Sequence, residues 1–190
     1  TRTRSIESLM ARYHVDTDQA ERVEATSVRM WDQVAGPRKL KHFTRRYLRY
    51  AALLHENGLD INSSGLHKHS AYILENSNLL GFSVEQQLLI AAVIRQHRKR
   101  LRSELIPELL IAPASTTLQL IRILRLAIIW HINRHPEAPE LPILELENDE
   151  LTLRIPAEYA EQFPLLVADL EREIDLCRQA GILMKLAFDT

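Results

Sequence analysis

Seven consecutive apolar residues, Leu88-Leu89-Ile90-Ala91-Ala92-Val93-Ile94, run without a break into Arg95, and they constrain the fold more than any other stretch. Ser83 is placed to cap a helix here, with Glu85 and Gln86 near its first turn. A helix that is apolar on every side has no face for water, so it belongs at the centre of a bundle and brings its charged end to the surface. That end is Gln96-His97-Arg98-Lys99-Arg100.

The neighbouring segments supply helices to pack around it. Asp16 to Val34 places Ala20, Val23, Val28, Trp31 and Val34 at helical spacing, with Asp16 or Thr17 as cap and Gly36-Pro37 as stop. Phe43 to Glu56 is a second helix, with Tyr47, Leu48, Ala51, Leu54 and His55 toward one side and Gly58 expected to end it in a left-handed conformation. After the polar stretch Asn62-Ser63-Ser64-Gly65, a third helix covers His67 to Asn76. Residues 103–115 form a proline-punctuated connection, and Thr116 or Thr117 opens a long helix that ends at Trp130.

The pattern changes at His135-Pro136-Glu137-Ala138-Pro139, which cannot continue a helix and marks a boundary between 1–135 and 136–190. Beyond it, Ile143 to Glu147 and Glu150 to Ile155 alternate around Asn148-Asp149, the signature of a hairpin. A helix from Phe163-Pro164 to Gly181 and a strand over Ile182 to Phe188 complete a small unit. The expected fold is therefore mainly α: a helical bundle followed by a small α+β unit of hairpin, helix and strand.

With 46% apolar and 26% charged residues the composition is that of a globular protein able to bury a core. Nothing approaches the roughly 20 apolar residues of a membrane span, and the start has no signal-peptide core, so the expected compartment is the cytoplasm. The one cysteine, Cys177, leaves no internal disulfide and no cysteine-based zinc site. Thr1 is not a methionine, and the chain reads as a fragment of a longer protein.

Net charge is −1 but unevenly spread: residues 1–110 carry 17 Lys/Arg against 12 Asp/Glu, and residues 111–190 carry 7 against 13. Two windows lack any acid, Arg38 to Arg49 and Arg95 to Arg102. Such clusters are candidate polyanion sites, although a solvated basic helix face explains the first equally well. Cationic charge at the C-terminal end of a helix is stabilising on its own, but this accounts for one or two charges in the second window and not five.

Several ordered segments together carry a family resemblance: Arg12-Tyr13-His14-Val15-Asp16, Leu53-Leu54-His55-Glu56-Asn57-Gly58, His69-Ser70-Ala71-Tyr72-Ile73-Leu74-Glu75-Asn76-Ser77, His97-Arg98-Lys99 and Leu124-Arg125-Leu126-Ala127. On these the chain resembles the exopolyphosphatase/guanosine pentaphosphate phosphohydrolase (Ppx/GppA) family. The resemblance implies an HD-like helical domain plus a small C-terminal domain. The actin-like catalytic domains with their phosphate loops would precede them, and no Gly-rich phosphate loop exists among the five glycines here. It further implies a homodimer, Mg²⁺ for the full-length enzyme with no cofactor held by this piece, a setting in the stringent response, and polyphosphate or guanosine pentaphosphate as substrate, a choice the sequence leaves open.

The same resemblance invites the alternative of a stand-alone HD-type metal phosphohydrolase. Such a site needs an upstream His, a His-Asp pair and a late Asp to bind divalent ions and acidify a water. Here the upstream position falls near Glu24 or Ser27, the pair is His55 and Glu56, and Leu126-Ala127 leads to Ile128. The pair is degenerate, so no metal ligand and no catalytic residue is assigned, and His55 is expected to bond Glu56 or a carbonyl in the core.

What remains is a surface for holding a linear polyanion, which demands aligned cations more than one shaped pocket. The candidate substrate-binding residues are Lys68, His69, His97, Arg98, Lys99 and Arg100, with His67 and His69 at a helix start whose free amides favour anions. No recognition-helix signature and few aromatics lie near these windows, so nucleic acid is not an expected partner, and neither is a membrane.

Overall fold

The structure, a computed structural model, describes residues 1–36, 38–59 and 64–190, with backbone alone for 38–41. Part of the first basic window (Arg38, Lys39, Lys41) and of the polar stretch (Asn62, Ser63) therefore lies outside the described side chains or residues. Helices α1 (Arg2–Arg12), α2 (Thr17–Val34), α3 (Arg38–Leu54), α4 (Leu66–Asn76), α5 (Val84–Arg95) and α6 (Ala114–Trp130) come first. Strands β1 (Ile143–Glu147) and β2 (Glu150–Pro156), helices α7 (Tyr159–Gln162) and α8 (Pro164–Gln179), and strand β3 (Met184–Asp189) follow. The fold is mainly α with a small α+β unit.

Local signals set most of these limits. Asp16 caps α2 by accepting from the Gln19 amide at 3.2 Å. Ser83 and Gln86 form a reciprocal capping box on α5, and Pro164 opens α8 without forfeiting a hydrogen bond. Asn148 and Asp149 both take positive φ, 48° and 66°, as a two-residue hairpin turn requires. Gly181, at φ 75°, lets the chain leave α8.

Gly58 departs from expectation. Helix α3 stops at Leu54, and Gly58 is not among the residues with positive φ. Its role is close approach: a Cβ there would meet the His69 Cβ and the Ser70 amide nitrogen at 2.7 Å, and its own N–H donates to Ser70 Oγ at 2.8 Å. The missing side chain thus presses the end of α3 onto the start of α4. Helix α1 is an addition to the expected set, seated by Ile6, Leu9 and Met10.

Helix α5 is buried along Leu89 to Ile94, as its unbroken apolar run demands. Helix α6 beside it buries Leu120, Ile121, Ile123, Leu124, Leu126 and Ala127, so the two form the centre. Each such Leu or Ile contributes roughly 1.5–3 kcal/mol. The sheet order is β1-β2-β3, β1 antiparallel and β3 parallel to β2, with Leu153 opposite both Leu144 and Leu186.

One buried apolar cluster runs from Ile90 and Leu124 through Leu144, Leu153 and Leu170, across the proline-rich connection at 135–139. Polar side chains fasten the same junction. Gln33 of α2 accepts from the Leu144 amide at 2.7 Å and donates to the Pro142 carbonyl at 3.1 Å, which covers the start of the β1 edge. Arg122 of α6, 1% exposed, donates to the carbonyls of Asp149 and Leu183 at 3.0 and 2.7 Å. Among the described residues no helix is long and apolar enough to cross a membrane.

Candidate functional site: a basic loop over buried histidines

At the end of α5 the chain folds back on itself through Gln96, which accepts from the Arg102 amide at 3.0 Å and donates to the Arg102 carbonyl at 3.1 Å. Between these anchors stands the basic loop. Lys99 is at φ 62°, a left-handed setting that disfavours a side chain, so the surroundings must hold it. Arg125 of α6 does so from below: it donates to the carbonyls of Gln96 and Lys99 at 2.6 and 2.8 Å, and makes a bidentate pair with Glu173 of α8 at 2.8 Å. Both partners are nearly inaccessible, at 3% and 4% side-chain exposure. The small unit is thereby tied through α8 to the loop.

The loop carries Arg98, half-buried, and Lys99 and Arg100, both exposed. Lys99 Nζ donates to the Ser64 carbonyl at 2.6 Å, joining the loop to the start of α4, where Lys68 is exposed and His69 half-buried. Lys68, Arg98, Lys99 and Arg125 are all near enough to His67 to oppose its protonation. The structure thus places three of the six sequence candidates, Lys68, Arg98 and Lys99, around His67.

One of the six is a correction. His97 is 4% exposed, with its ring 5.1 Å from that of His55 and 6.3 Å from that of His67, edge to face in both cases. The helix ends at Arg95 with Gln96 as its cap, while the His97 amide still bonds the Ile94 carbonyl, and this last tight turn leads to a buried ring. Burial, then His55, His67 and the nearby arginines, hold it well below the usual histidine range, so it is neutral and contributes no charge to the surface. His67, 7% exposed, is pushed down to about 4 by burial and then by Arg98, Lys99 and Lys68.

His55 and Glu56 bond different partners. The His55 ring, 2% exposed, donates from Nδ1 to the Ala52 carbonyl at 2.6 Å, as expected of a core histidine, and burial lowers its pKa. Glu56 binds Arg134, which also reaches Asp16 at 3.1 Å. Among the described residues no three His, Cys, Asp or Glu side chains are placed to hold a metal ion. Cys177 is buried in contact with Glu173, and burial pushes its thiol up to about 12, which makes it inert.

The sequence reading missed Arg125 and Glu173. The available signal was a charged residue in the otherwise apolar run Leu124 to Ile129, which implies a buried partner without naming it.

Comparison with known proteins gives the family of the chain. Residues 1–174 match the model of the Ppx/GppA phosphatase, domain III. The chain is 33% identical over 181 residues to guanosine-5'-triphosphate,3'-diphosphate pyrophosphatase of Aeromonas hydrophila subsp. hydrophila, and 31% identical to the protein of the same name from Aeromonas salmonicida. Both alignments take in 95% of this chain and 36% of the relative, so the chain spans about a third of the length of these relatives. The chain belongs to the Ppx/GppA phosphatase family and carries its domain III.

Proposed function

We propose that this chain is the substrate-holding part of a Ppx/GppA phosphatase that releases orthophosphate from the ends of polyphosphate, with the chemistry performed by domains outside it. One observation carries the reading: Lys68, Arg98 and Lys99, from two elements, surround His67, and the loop backbone that carries two of them is held by the buried Arg125–Glu173 pair. Cations held on a rigid loop bind an extended polyanion without ordering many side chains at the moment of contact. Mg²⁺ would serve the catalytic domains, and no step is assigned to it on these residues. The names of both relatives favour guanosine pentaphosphate as the second reading.

The test is binding of long-chain polyphosphate and of guanosine pentaphosphate across a salt series. Replacing Arg98 and Arg100 with Ala should weaken polyphosphate binding and flatten its salt slope by about 0.7 for each cation removed. An unchanged slope would remove the loop from the substrate path. Hydrolysis by the chain itself on adding Mn²⁺ would return His55 and Glu56 to a catalytic role and overturn the reading.

A further inference from the structure

Behind the basic loop stands a row of imidazoles. The His97 ring is in the middle, 6.3 Å from that of His67 and 5.1 Å from that of His55, and all three residues are buried. Nδ1 of His67 and both ring nitrogens of His97 have no hydrogen-bond partner among the described residues. Proton uptake at such nitrogens breaks no bond that these atoms make.

The charges around the row come from each element that meets it. Lys68 follows His67 on α4, and Arg98 and Lys99 follow His97 on the loop. Arg125 of α6 reaches the carbonyls of Gln96 and Lys99 at 2.6 and 2.8 Å. At the far end Glu56 and Arg134 act on His55 with opposite signs. Lys99 closes the near end, its Nζ donating to the Ser64 carbonyl ahead of α4 at 2.6 Å.

His67 therefore has Lys68, Arg98, Lys99 and Arg125 about it, each opposing its protonation. Arg125 already has a counter-charge in Glu173, and both are buried. Lys68 and Lys99 are exposed and Arg98 is half-buried, so for these a bound anion can supply compensating charge. The charge state of the ring then depends on what covers the loop. Under water alone, the cations hold His67 neutral. Negative charge laid across them weakens their field at the ring. By linkage the effect runs both ways: if binding favours the protonated ring, acid favours binding.

We propose that a polyanion held on the basic loop drives protonation of His67 behind it, so that binding takes up a proton and mild acid tightens the hold. This coupling rests on the reading of the loop as a polyanion-holding surface, and it adds regulation by pH to that surface. His67 acts in it through the field of Lys68, Arg98 and Lys99, as a sensor of occupancy.

The test is NMR of the histidine rings in the 190-residue chain, assigned through the backbone and titrated from pH 7.5 to 4.5 with and without saturating long-chain polyphosphate. Free His67, which burial and then the cations push down to about 4, should be about one-tenth protonated at pH 5. With polyphosphate its midpoint should rise by about one unit or more, which leaves at least about half of the rings protonated at pH 5. Calorimetry at pH 5 in two buffers of different ionisation heat should count roughly 0.4 proton more for the parent chain than for His67→Gln, its fold verified by circular dichroism. At pH 7.5 the ring is neutral, and His67→Gln should bind polyphosphate within about two-fold of the parent. In Arg98→Ala the free midpoint should itself lie higher, and the rise on binding should be smaller.

A His67 midpoint unmoved by bound polyphosphate would overturn the proposal and leave the loop as the binding surface. An equal rise at all eight histidines would do the same, since it would be only the general field of the ligand. An unchanged free midpoint in Arg98→Ala would remove the loop cations as the cause and overturn it too. Absence of polyphosphate binding at both pH 7.5 and pH 5 would overturn the reading of the loop, and this proposal with it.

Discussion

The basic loop rests on two buried polar groups built in opposite ways. Arg125 and Glu173 are charged and densely bonded: four hydrogen bonds, at least one from every guanidinium nitrogen, join Arg125 to Glu173 and to the carbonyls of Gln96 and Lys99. His55, His67 and His97 are neutral and sparsely bonded: both ring nitrogens of His97 and Nδ1 of His67 lack a hydrogen-bond partner among the described residues. The first group secures the loop's backbone and the second fills the space beneath it. A buried charge survives only with full compensation, whereas a buried imidazole survives by giving up its proton. The comparison assigns geometry to one group and pH sensitivity to the other.

The largest expected effect breaks the charged group. Glu173→Ala leaves Arg125 buried with only its two carbonyls, and should cost about 3–5 kcal/mol in urea denaturation. Replacing both partners, Arg125→Met with Glu173→Leu, should recover much of that, because no uncompensated charge remains. The double variant nevertheless lacks the bonds to Gln96 and Lys99, so its 96–100 amides should exchange faster with solvent. A single substitution costing under about 1 kcal/mol would end the claim that this pair organises the loop.

The difference between the groups also explains what was legible in the sequence. Caps and turns were readable because their signals are local: Asp16 and Ser83 each bond an amide three residues on, and Asn148-Asp149 names its own turn. Helix α1 was hidden because Arg2-Thr3-Arg4-Ser5 is polar and its seat rests on Ile6, Leu9 and Met10. Gly58 carries a common helix-stop residue, yet its reason lies in His69 and Ser70, across the loop.

The site divided along the same line. The surface cations Lys68, Lys99 and Arg100 follow from charge pattern alone. Two long-range features do not: Glu173 lies 48 residues from Arg125, and the inward turn of His97 depends on the space beside His55. A run of His-Arg-Lys-Arg looks uniformly cationic until packing separates its first member from the rest.

Acid should act on the histidine group at an intermediate cost. Each ring has a folded pKa below its ordinary value, so the unfolded chain binds more protons as pH drops below 6.5. The stability held above pH 6.5 is therefore lost as pH falls, and for His67 the loss runs down to about pH 4. That one ring should contribute on the order of 2 kcal/mol. Glu56 opposes the effect at His55, and Lys68, Arg98, Lys99 and Arg125 reinforce it at His67. Denaturation midpoints measured from pH 7.5 to 4.5 should fall steadily, and a flat profile would show that the rings are already solvated.

The smallest effect is the sharpest discriminator. His97→Leu removes two ring nitrogens that have no partner among the described residues and fills similar space, so stability at pH 7.5 should change by under about 1 kcal/mol. The acid slope should become shallower in the same variant, because one titrating ring is gone. The basic loop should be untouched, since Arg125 holds it through Gln96 and Lys99. A loss above about 2 kcal/mol at pH 7.5 would mean that His97 makes strong hydrogen bonds, through ordered water, in the folded chain. The histidines would then be a second densely bonded network, and the contrast with Arg125 and Glu173 would fail.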